Sequence, residues 1–133
     1  SRYKGFDLFD TVLKGQPQHV LAMLNSFQHD GTSMLWLIFI IAKEIRMLAI
    51  VTAHQQHMPL AMAMSKQTIY AQRKILIENV LIRLSKDKNN VNWQDCLVQL
   101  SAIDKQSKGL MSGNPWTSLS TLLVGISSQI HLL

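Results

Sequence analysis

The sequence is short of most things from which an active site is built. It has one cysteine in 133 residues, so no internal disulfide can form. Three prolines and six glycines leave long stretches free of helix breakers. Acidic residues are scarce, eight against thirteen Lys and Arg, and charged residues total only 16%. No GxxxxGK[ST] or GxGxxG segment exists to cradle a nucleotide phosphate. No useful stretch alternates apolar and polar residues as a strand would, and there is neither an internal repeat nor a low-complexity segment. A charged leader with a short apolar run and a small-residue cleavage site is missing, which argues against a signal peptide. With one free thiol, the expected compartment is reducing, hence cytoplasmic. A start at Ser1 suggests an excised, C-terminal piece of a longer protein.

What is present is helix. Hydrophobic residues make up 47%, enough for a single domain, 1–133, to bury a core without disulfides or metals. Phe6 to Lys14 is a short helix with Phe9, Val12 and Leu13 inward, stopped by Gly15. Pro17 opens the next, whose apolar face is Val20, Leu21, Leu24 and Phe27, and Asp30-Gly31 ends it. Thr32 or Ser33 caps a long third helix, Met34 to His54. Pro59 breaks the pattern, and Leu60 to Met64 makes one short turn. Ser65 or Thr68 starts a helix bearing Ile69, Leu76, Ile77, Val80, Leu81 and Leu84. After the polar loop Asp87–Asn90, Trp93, Cys96, Leu97, Leu100 and Ile103 form another face, ending at Gly109. Asn114 caps the last helix, lined by Trp116, Leu119, Leu122, Leu123, Ile126 and Ile130. The expectation is an all-α helical bundle of about six to eight helices.

The third helix is the unusual one. It is apolar from Met34 to Ala42 and again from Met47 to Val51. Lys43, Glu44 and Arg46 interrupt it, and each would cost about 2.5–3.5 kcal/mol at a bilayer centre. A membrane span is therefore excluded. A helix apolar nearly all round is buried on several sides or covered by another subunit. The three charges are either a wet stripe on a core helix or a polar contact to a neighbour.

The remaining reactive side chains read mostly as structure. His54 and His57 are three apart, within reach of one metal, yet no Cys or carboxylate lies near in sequence, and histidine at a helix end also answers the dipole. Asp95 beside Cys96 raises the thiol pKa, against a reactive cysteine. Asp7 and Asp10 suit a helix N-terminus better than paired acid–base work. The net charge of +5 permits a nucleic-acid surface, but Lys66 and Arg73 share a face while Lys74 and Arg83 point elsewhere. Seven methionines fit adaptable packing. No catalytic, cofactor-binding or metal residue is assigned.

Several strings in fixed order carry a resemblance: Val12-Leu13-Lys14-Gly15, Ala42-Lys43-Glu44-Ile45-Arg46, Tyr70-Ala71-Gln72-Arg73 and Leu81-Ile82-Arg83-Leu84-Ser85, then Leu100 to Lys108 and Pro115-Trp116-Thr117-Ser118-Leu119. From Phe6 to Leu123 the chain resembles the C-terminal domain of the delta subunit of bacterial DNA polymerase III. That subunit belongs to the clamp loader of a DNA-directed DNA polymerase, a nucleotidyltransferase holoenzyme. The resemblance implies a helical collar domain that closes a ring with gamma/tau and delta-prime. Contact with the sliding clamp then runs only through an N-terminal region not included here, and contact with DNA is indirect. Structural roles carry over to Glu44, Arg46, Arg73, Asp104, Lys108 and Trp116. Lys43, Glu44 and Arg46 are the candidate interface charges, and apolar surface for neighbours is expected on the third and last helices. Trp93 and Trp116 are the expected structural anchors, Trp116 being fully buried against Trp93, Leu97 and Leu100. The rival readings are a stand-alone helical nucleic-acid-binding adaptor and a metal protein using His54 and His57.

Overall fold

The computed structural model describes residues 4–133, with the Phe6 side chain left aside. Seven helices follow one another: α1 (Gly5–Leu13), α2 (Pro17–His29), α3 (Met34–Gln55), α4 (Leu60–Ser65), α5 (Ala71–Ser85), α6 (Trp93–Ser107) and α7 (Pro115–His131). The described residues contain no strand, and the expected all-α bundle is what the chain forms.

Short polar side chains cap the starts of α3, α6 and α7. Ser33 accepts from the Trp36 amide at 3.3 Å, and Asn92 from that of Asp95 at 3.1 Å. Asn114 accepts from both Trp116 and Thr117, with Pro115 in the first turn where its missing N–H costs nothing. At α1 the Asp7 carboxylate reaches back to the Lys4 amide at 3.2 Å, the favourable N-terminal placement expected of it.

α2 packs mainly on α7, and α1 bridges α2, α3, α5 and α7. On the other side α3 packs on α4 and α6, and α6 on α7. Phe9, Phe27, Leu37, Ile41, Ile45 and Leu48 are fully buried in one continuous core. Gly15 closes the turn after α1 with a left-handed φ of +69°, and its carbonyl meets His131 Nδ1 at 3.0 Å, so the first turn of the fold rests on the end of the last helix.

Three expectations change. Leu21 is 43% exposed, and Met23 takes the inward position on α2. α5 starts at Ala71, not at Ser65 or Thr68: Ser65 is the last residue of α4, its hydroxyl donating to the Met62 carbonyl, and the backbone is still extended at Tyr70. The chain then crosses in extended form, with Ile69 packed against the core. Trp116 packs on the core but is only half-buried, and Leu110 (75% exposed) and Met111 in the loop before it are exposed too. Trp93 is buried as expected. Trp116→Ala is accordingly expected to cost about 1.5–3 kcal/mol, below the full value for a buried tryptophan. A thermal melt measures it, and an unchanged midpoint would remove Trp116 from the packing.

Candidate functional site

The charges of α3 divide. Glu44 lies half-buried and faces α5, where Arg73 grips it by two parallel bonds: Nη1 donates to Oε1 and Nη2 to Oε2, each at 2.9 Å. The Arg73 Nε donates to Asp10 Oδ1 of α1 at 2.8 Å. One guanidinium therefore ties three helices together. A planar fork suits such bidentate pairing where an ammonium would not. Burial alone would lower the Arg73 pKa, but the hydrogen bond and charge of Glu44, then those of Asp10, outweigh it and hold the pKa above its ordinary value. Arg73 is thus withdrawn from the basic face that it was expected to share with Lys66.

Lys43 and Arg46 are exposed, and no described residue pairs with either. They stand on a ridge of α3 whose apolar members are also uncovered: Leu35 (47% exposed), Trp36 (47%), Phe39 (69%) and Ile50 (43%). A groove of about 490 Å³ flanks this ridge, floored by Ile38, Ala42 and Leu100 and rimmed by Phe39, Arg46 and Leu97. On the other flank Phe39, Ile40 and Tyr70 wall a second cleft of about 490 Å³, with Arg73 and its two carboxylates within it. The Asp104–Lys108 pair is present at 2.9 Å as an i,i+4 bridge along α6.

The last helix does not supply the free apolar surface expected of it. Leu119, Leu122, Leu123, Ile126 and Ile130 are all buried against the chain's own core. The reason is topological: α7 lies between the α1–α2 pair and α6, leaving little of its apolar face over.

His54 is half-buried and His57 exposed, and among the described residues no three His, Cys, Asp or Glu side chains gather to hold a metal. Cys96 is buried, and burial, followed by the charge of Asp95, pushes its thiol pKa up to about 11. About one thiol in a thousand is then ionised at pH 8. Alkylation of native protein by iodoacetamide at pH 8 should run at least about a hundredfold slower than in denaturant. Equal rates in the two states would contradict the burial. No described helix is long and apolar enough to cross a membrane.

The Arg73 tie was not visible in the sequence: the resemblance set Glu44 beside Arg46 and named Arg73 apart, and Asp10, Glu44 and Arg73 are far apart along the chain. The ridge had a local signal, the excess apolar girth of α3. Comparison of the chain with protein-family models and with curated proteins finds no match.

Proposed function

We propose that this chain is a subunit-assembly domain of the clamp-loader collar type, from a delta subunit of DNA polymerase III. In that role it helps hold together the machine that places the sliding clamp on DNA during replication. The observation that carries the reading is the uncovered ridge of α3. Large apolar side chains contiguous on one helix, next to unpaired cations, are a protein-binding pattern more than a solvent surface. The segments that carry the resemblance support the same reading. The role calls for no catalytic residue and no cofactor in this chain.

The partners are then gamma/tau and delta-prime. The test is co-elution of the purified chain with these subunits in size exclusion. A shared peak, lost when Leu35 and Phe39 are both changed to Ser, is the expected result. Separate elution at every concentration would defeat the proposal.

A further inference from the structure

We infer that the groove between α3 and α6 receives a helix of a neighbouring subunit, and that this helix carries an acidic side chain opposite Arg46 on the groove's rim. The inference rests on the assembly reading above and adds the chemistry of the partner. Its shape argument is direct. The groove has an apolar floor of Ile38, Ala42 and Leu100 between two helical walls, the setting into which a third helix inserts side chains spaced three and four apart. The ridge from Leu35 to Ile50 rises about 22 Å, four turns of a partner helix.

Charge then selects the occupant. Glu44, the one carboxylate on this stretch of α3, is spent on Arg73, and Asp104 on the opposite wall is neutralised by Lys108. Arg46 forms no ion pair among the described residues, so the groove is apolar and net positive, while Lys43 stands on the other flank beside Asp7, Asp10 and Glu44. A second copy docking groove to groove would bring Arg46 toward Arg46, which disfavours a self-complementary dimer. A nucleic acid would satisfy Arg46 but press Phe39 and Leu35 against phosphate and water. An amphipathic helix with Asp or Glu beside its apolar stripe answers both features at once.

The test uses the whole chain, immobilised, with gamma/tau and delta-prime passed over it at about 50 and about 500 mM salt. Two variants are compared, Arg46→Glu and Phe39→Ser. Both altered positions are exposed, and a thermal melt accompanies each variant. The expected result is about a tenfold or greater loss of retention for each variant at an unchanged melt. Wild-type retention should also fall with salt, and the charge variant should lose that dependence. Retention of both variants at the wild-type level would overturn the groove while leaving the assembly reading in place. Failure of the wild type to retain either subunit would overturn the assembly reading and the groove with it. A homodimer of the chain alone that Phe39→Ser dissolves, or duplex DNA binding that the charge variant abolishes, would overturn the inference by naming another occupant.

Discussion

Arg73→Leu is expected to lower stability by about 2–4 kcal/mol, because it removes the one cation that answers two carboxylates facing the interior. Breaking a buried pair from one side costs more than the pair contributes, since the remaining charges stay poorly solvated. Here Asp10 and Glu44 retain 22% and 14% side-chain exposure, which places the expected loss toward the lower part of that class. For a chain of this length the melting point should fall by about 10 °C. Arg73→Lys should recover only part of the loss, because one ammonium cannot make the two parallel bonds to Glu44 and reach Asp10 as well. Glu44→Lys sets two cations face to face and should be nearly as damaging as Arg73→Leu. A collapsed assembly for that variant would therefore say nothing about an interface, and Lys43 and Arg46 are the informative positions. A melt of Arg73→Leu within about a degree of the native value would show that the three-helix tie contributes little.

The second large effect is expected at Gly15. Its φ of +69° lies where an L side chain is strained by about 1–2 kcal/mol, and a Cβ there would come within 2.9 Å of the His131 backbone nitrogen. Backbone cannot rotate aside as a side chain can, so α7 would have to shift. Gly15→Ala should therefore cost about 2–4 kcal/mol. Gly31 supplies the control. It has nearly the same φ, +71°, but nothing within 4 Å of the added Cβ, so Gly31→Ala should cost only about 1 kcal/mol. Urea melts of the two variants, compared at equal slope, separate strain from contact. Equal losses would mean that the approach of His131 adds nothing.

Local chemistry was legible wherever one residue decides one feature. Asn114-Pro115 gave its helix start, and the start of α3 was placed at Thr32 or Ser33, of which Ser33 is the cap; Gly15 and Gly31 gave their stops. Apolar spacing gave the inward faces of α1, α6 and α7. It failed at Leu21, because Leu21 and Met23 flank opposite sides of the Val20, Leu24 and Phe27 stripe, and only the placing of the partner helix decides which side is covered. The start of α5 was hidden because Ser65, which suits a helix start, is the last residue of α4, and the chain stays extended as far as Tyr70. The burial of Trp116, in the first turn of α7, depended on how much of the fold reaches that end of the helix, which apolar spacing does not determine. The charge triplet of α3 reads as one group in sequence, yet a rotation of 100° per residue sends Glu44 toward α5 and leaves Lys43 and Arg46 in solvent.

The placement of α7 has a consequence for synthesis. The apolar faces of α1 and α2, with Phe9 and Phe27, find their principal cover in a helix that begins at Pro115. On the ribosome those faces emerge before the other helices of this domain, and α3 to α6 must follow before their partner exists. Pairing elements so remote in sequence raises the contact order above that of a simple up-and-down bundle, so folding should be slow for a helical protein of this size. Until residue 131 is free, the nascent chain presents two greasy helices to whatever it meets, and its yield in a cell depends on what shields them during that interval.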